Sequence, residues 1–359
     1  MAEKLRTLRR LLIPGFVFQS IVIGGGYGTG AEIMEYFQKN GFVGGLLGIG
    51  VTLLLWSALC AITFEFSRVF RVYTYQGMMH LLLRRGAVFF EISYLAMLLM
   101  VLGAVTASAG ATAQQLLDVR PEYGYLLLAA CTVLLSVKGT AAIEKALSAW
   151  SYVLYAVYLL FMVLCLYRFG DAIAAQLQLP EIGRGWAVSG AKYAFYNMGC
   201  VPLLLYTLRD CQNRRDAILS GLLSGVIGAV PAALLLVVLS GVEGTLGAEV
   251  PVAVVFEALD LPWLYWTFEI VLFGTLIETG TGYIKALDDR ICERRASVPP
   301  LFHAALAIAL CAAGYGVAQM GLSRIIAKGY SAMNWAFLLT YALPMTTRGV
   351  WMIRNKSDK

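Results

Sequence analysis

The chain has 359 residues, of which 59% are hydrophobic and only 14% charged, and its mean hydropathy is +0.72. A balance this apolar excludes a soluble globular protein. The net charge of +6 reads as membrane topology, so no nucleic-acid partner is needed to account for it.

Runs of about 20 mostly apolar residues, the length that crosses a hydrocarbon core of about 30 Å, recur along the chain. They fall near residues 11–37, 43–66, 88–117, 123–137 and 141–166, then 186–208, 217–239, 261–286, 300–320 and 330–345. This predicts an all-α integral membrane protein of about ten transmembrane helices. A β-barrel would show short alternating strands, whereas residues 217–239 are continuously apolar. The basic start, Lys4, Arg6, Arg9 and Arg10, runs into the first apolar segment without a cleavage site, so that segment reads as a span. The seven cysteines lie in or beside spans without paired spacing. They imply neither a disulfide framework nor a metal site.

An even number of spans puts both termini on one side. If that side is the cytoplasm, roughly three quarters of the 28 Lys and Arg residues face inward, as the positive-inside rule requires. The expectation is one multi-pass domain, residues 1–359, in the cell (inner) membrane with both termini cytoplasmic. Residues 170–185 and 241–260 are expected as loops, the second acidic through Glu243, Glu249, Glu257 and Asp260.

The first span contains Gly24-Gly25-Gly26-Tyr27-Gly28-Thr29-Gly30, followed by Ala31-Glu32. Each glycine costs a helix about 1 kcal/mol relative to alanine, so the run predicts unwinding near mid-span. Unwound backbone at that depth must line a cavity or be buried in protein; close helix packing through Gly25 and Thr29 is the other reading. The sixth span carries Tyr196-Asn197-Met198-Gly199-Cys200-Val201-Pro202, which predicts either a second interruption or an ordinary proline kink.

Spans one and six open two five-helix halves, 11–166 and 186–347, and an odd number of helices per half makes the halves inverted repeats. Interrupted helices at corresponding positions of inverted halves point to a transporter's binding site, an architecture similar to the LeuT fold. Backbone and side-chain contacts to a small-molecule solute are therefore expected from Gly24, Gly25, Gly26, Tyr27, Gly28, Thr29, Gly30, Glu32, Tyr196, Asn197 and Gly199. The half-helix ends offer N–H groups and carbonyls, which suits a zwitterion such as an amino acid. Glu32 could bind an amine, shuttle a proton, or cap the outer half-helix.

Span eight places Thr275, Glu278 and Thr279 on one helical face. Their oxygens suit a small hard cation or a proton, or else hydrogen bonds to a neighbouring helix. In the LeuT arrangement this helix joins the first to bind sodium, so a sodium ion or proton is the expected coupling ion, with no other cofactor. Signals for an enzyme are missing. The two histidines, His80 and His303, form no metal cluster, no strand precedes the glycine run, and there is no P-loop.

The stretch from Ile23 to Ile33 resembles the first-helix signature of YkvI-type membrane proteins, approximately G-A-G-F-A-S-G-Q-E-I. Gly24, Gly26, Gly30, Glu32 and Ile33 fall on signature positions, while Gly25, Tyr27, Gly28, Thr29 and Ala31 depart from them. That family resembles the amino acid–polyamine–organocation superfamily, whose LeuT-type members carry amino acids, amines and related solutes coupled to sodium or protons. The resemblance implies alternating access, with spans one, two, six and seven rocking against three, four, eight and nine. It leaves the substrate, the coupling ion, the direction of transport and the oligomeric state open. A channel would need a continuous polar pore, which these spans lack. A sensor or scaffold that has kept the fold is the second reading. The expected partners are the solute and membrane lipid.

Overall fold

A computed structural model describes residues 2–138, 140–178, 181–209, 211, 213–292 and 299–357, and among them no strand occurs. The first span is built from three pieces: α1 (Ala2–Val22), α2 (Gly25–Gly28) and α3 (Ala31–Tyr36). Then come α4 (Phe42–Phe70), α5 (Tyr75–Leu83), α6 (Ala87–Leu117), α7 (Pro121–Lys138) and α8 (Thr140–Gln178). The second half runs through α9 (Trp186–Met198), a 3₁₀ segment (Val201–Leu208), α10 (Arg214–Ser240), α11 (Pro251–Leu259), α12 (Pro262–Cys292) and α13 (Pro300–Ala318). It ends in α14 (Leu322–Arg324), α15 (Ser331–Phe337) and α16 (Val350–Ser357), joined by π-helical stretches.

Local chemistry sets several of these boundaries. Asn213 caps α10 by accepting a 2.8 Å hydrogen bond from the Asp216 amide, and Thr74 caps α5 through the Gly77 amide at 3.3 Å. Gly41, at φ 79°, turns the chain into α4.

Among the described residues, five stretches are long and apolar enough to cross a membrane: Phe42–Phe70, Tyr75–Leu117, Ala156–Gln178, Arg214–Ser240 and Leu301–Ala318. Their outer faces leave large apolar side chains uncovered, such as Leu54 at 68%, Phe89 and Leu159. Lipid solvates such faces, while water would penalise them.

Two helix groups pack internally: α1, α4, α9 and α10 in one, and α6, α7, α12 and α13 in the other, with α8 touching both. The tightest seam joins α4 to α10. Gly221 and Gly225 lie against the backbone of Ser57, Cys60 and Ala61 with no room for a side chain.

Several boundaries depart from expectation. Helix α8 runs on to Gln178, so the first half of the loop expected at 170–185 is helical. The alanines and glutamines there are good helix formers that an apolarity scan does not register. The loop expected at 241–260 contains α11, started by Pro251 at its first position. The tenth span, expected at 330–345, is helical from Leu322 onward because Arg324 and Lys328 lower the local apolarity without breaking the helix.

Candidate functional site

The first helix is interrupted twice. Ile23 and Gly24 are non-helical, and the single turn α2 is closed by the Gly28 amide donating to the Gly24 carbonyl at 2.8 Å. The chain breaks again at Thr29 and Gly30. Gly30 has φ 82° and ψ −7°, a left-handed conformation that glycine adopts without strain. The Thr29 hydroxyl donates to the Gly26 carbonyl at 3.1 Å. The glycine run is therefore one helical turn between two breaks, where simple unwinding was expected.

The second break folds α3 so that Glu32 comes back over Gly26. A Cβ built on Gly26 would stand 2.5 Å from Glu32 Oε1 and 3.0 Å from its Cγ. Glu32 is 3% exposed, and no side chain caps the N-terminus of α3. Its carboxyl accepts a hydrogen bond from the Tyr196 hydroxyl, so Glu32, in the first turn of α3, also bridges to another helix.

Tyr196 belongs to the last turn of α9. Its ring stacks on Tyr330 at 4.8 Å and on Tyr36 at 5.7 Å, with Tyr193 edge-on at 5.4 Å. Tyr330 closes the π-helical stretch Ile325–Tyr330, a distortion often found at functional sites. Beyond Met198 the sixth helix loses its α form, and the chain continues as the 3₁₀ segment carrying Pro202. Asn197 donates its side-chain amide to the Tyr193 carbonyl at 3.1 Å. Gly199 lies beneath the Phe337 ring, where a larger residue would collide.

Three further elements close on the broken segment. From α8, Tyr158 donates its hydroxyl to the Gly28 carbonyl at 3.1 Å. From α12, Leu272 covers Gly28, and the Thr279 methyl lies 4.0 Å from the Cβ position of Gly24. From α11, the Val252 amide donates to the Thr29 carbonyl at 3.1 Å. A cavity of about 150 Å³ adjoins buried Tyr27, lined also by Gln19, Ile23, Tyr158 and Pro231. On α12, Thr275 donates its hydroxyl to the Val271 carbonyl at 3.0 Å, and Glu278 is half-buried one turn on.

The structure thus brings together Gly26, Glu32 and Tyr196, and sets Gly24 beside Thr279. It turns the Asn197 amide toward its own helix and the Gly199 face toward Phe337. Of the tyrosine wall, the sequence reading singled out Tyr196 and missed the rest. Tyr36 lies four residues after Glu32, and Tyr193 three before Tyr196, so their shared helix faces were a usable signal. Tyr158 and Tyr330 reach the site by tertiary packing alone.

No family model matches the chain. It is 23% identical over 328 residues to the uncharacterized membrane protein YkvI of Bacillus subtilis (strain 168), covering 90% of this chain and 92% of that protein. The manganese transporter of Eremococcus coleocola superposes with a TM-score of 0.61 at 14% identity, covering 92% of this chain and 77% of the transporter. A Na+-coupled sialic acid symporter in a substrate-bound, outward-open state gives a TM-score of 0.50 at 9% identity, covering 94% and 85%. The chain is therefore similar to YkvI-type membrane proteins, as its first-helix residues implied. Its fold is the all-helical, LeuT-like one of membrane transporters.

Proposed function

We propose that this protein is a secondary active transporter that holds a small solute, an amino acid, amine or related compound, between the broken first and sixth helices. The observation that carries this reading is the contact of Glu32 with Tyr196, which ties the two interrupted helices together through a buried carboxyl. A carboxyl at such depth marks a pathway or a partner. The phenol hydroxyl satisfies one of its oxygens. An ammonium group arriving at Glu32 would replace a neutral donor with a charged one, and charge-assisted hydrogen bonds are roughly twice as strong. One carboxyl among tyrosines suits an organic cation or zwitterion better than a bare metal ion, which needs a full shell of ligands.

Alternating access would rock α1, α4, α9 and α10 against α6, α7, α12 and α13, two groups that already pack separately. Glu32 and Tyr196 travel with the first group. Gly24 and the Thr279 methyl, 4.0 Å from the Cβ position of that glycine, face each other across the two, which is where a coupling ion would report on their separation. Thr275, Glu278 and Thr279 are the proposed ligands of a sodium ion, or Glu278 the carrier of a proton with the two hydroxyls beside it. The Thr275 oxygen keeps lone pairs available while its proton is bonded to Val271. The two halves, 11–166 and 186–347, are read as inverted repeats, and the termini as cytoplasmic in the cell membrane.

The test is thermal stabilisation of the purified protein by amino acids, amines, nucleobases and small organic acids, each with sodium, with potassium and across pH. A solute-specific rise that disappears in Glu32→Gln supports the reading. A folded protein that responds to no solute or ion counts against it.

A further inference from the structure

Glu269 stands seven residues into α12, about 10 Å along the helix axis, and takes no part in the contacts around Gly26, Glu32 and Tyr196. It is 1% exposed, and neither of its carboxyl oxygens makes a hydrogen bond of ordinary geometry. The Thr112 side chain of α6 faces it, and the Thr112 hydroxyl likewise lacks a bond of ordinary geometry. The other titratable groups in its electrostatic reach are the phenols of Tyr158 on α8 and Tyr265 on α12. Glu257 of α11 lies beyond Tyr265. Among the described residues no Lys or Arg forms an ion pair with Glu269. On the same level, Phe161, Phe256 and Phe268 pack with ring centroids 4.5 to 5.6 Å apart and seal the layer with apolar surface.

A carboxylate buried without a cation and faced by a single hydroxyl is strongly disfavoured in a membrane interior. Two occupants could relieve it. A hard metal cation requires a shell of oxygen ligands, and one carboxyl with one hydroxyl falls short of that. A proton requires no shell, and the neutral acid gains a donor that the Thr112 oxygen can accept. We propose that Glu269 is a proton-binding site, distinct from the substrate contacts and from the Thr275, Glu278 and Thr279 cluster, facing Thr112 across the α6–α12 seam.

The site is mechanically connected to the broken helix. Leu272, on the next turn of α12, covers Gly28, and Tyr158 bonds the Gly28 carbonyl at 3.1 Å while lying in the field of Glu269. A rearrangement of the first helix therefore alters the surroundings of Glu269, and loading Glu269 alters the fit of the first helix. For its role in coupling, though not for its chemistry, the site rests on the transporter reading.

The experiment is infrared difference spectroscopy of the purified full chain in lipid, titrated from acid to alkaline pH in H₂O and D₂O. The expected result is a protonated-carboxyl C=O band that fades on alkalinisation. It is absent in Glu269→Gln, retained in Glu32→Gln, and moved in frequency in Glu269→Asp, which keeps a titrating group if Glu269→Gln proves unstable. Bands unchanged in both Glu269 variants overturn the proposal. So does loss of the band at fixed pH when sodium replaces potassium, which would make this a sodium site. Because the band needs no substrate, failure of the transporter reading would leave it in place.

Discussion

Replacing Tyr196 with Phe removes one oxygen and leaves the ring stacked between Tyr36 and Tyr330. The lost atom is the donor to Glu32, and both residues are almost fully buried, so bulk water is not at hand to replace it. A hydrogen bond to a charged group contributes about 1.5–3 kcal/mol, and a neutral one about 0.5–1.5. At alkaline pH, with Glu32 ionised, Tyr196→Phe should therefore cost the upper range, and the lower range, or less, in a Glu32→Gln background. That difference is a coupling energy of about 1–2 kcal/mol, which a double-mutant cycle isolates. Reversible unfolding of the four proteins in mixed detergent micelles provides the measurement. Additivity within about 0.5 kcal/mol would show that the hydroxyl and the carboxyl do not act on each other, and the bridge between the two broken helices would be lost as an argument.

Gly26→Ala and Gly24→Ala should differ sharply in the solute-stabilisation assay. The first puts a methyl group 2.5 Å from Glu32 Oε1, while the second meets only the Thr279 methyl at 4.0 Å. Gly26→Ala is expected to abolish the solute shift and Gly24→Ala to keep most of it. Gly30→Ala forces a side chain into the left-handed region at φ 82° and to within 3.1 Å of Leu239 and Val252, and should lower stability by about 1–2 kcal/mol. Tyr158→Phe removes the bond to the Gly28 carbonyl and should cost about 0.5–1.5 kcal/mol, read in the same unfolding assay. Cysteines introduced at Arg9 and Asp260 in a background without reactive thiols should be labelled by a membrane-impermeant maleimide from opposite sides of oriented vesicles; same-side labelling would refute the proposed topology.

Much of this architecture was legible because lipid imposes simple rules. Runs such as 217–239 announce a span through composition alone, and Arg214–Ser240 is where the helix lies. The interruptions were legible for the same local reason, since glycine and proline act on their own backbone. Where the signal depends on packing, the reading stopped short. Nothing in the order of residues shows that Tyr330 stacks on Tyr196 or that Leu272 settles over Gly28. Glu32 is the instructive case: its depth in the span marked it as functional or as a cap, and its three-dimensional partner, Tyr196, was not legible from the sequence. Glu269 passed unnoticed because it follows Trp266, Thr267 and Phe268 near the start of its span, where a carboxylate looks interfacial. The chain folds α11 and the aromatic layer over that end of α12 and buries it.

The central claim, transport of a solute bound at Glu32 and Tyr196, is tested most directly by uptake into proteoliposomes. The solute to use is the one that best stabilises the purified protein, with an imposed inward sodium or proton gradient and, in parallel, none. The account predicts accumulation above the equilibrium level only when the gradient is present, and loss of that accumulation in Glu32→Gln. Gradient-independent flux, or accumulation that survives Glu32→Gln, would contradict it.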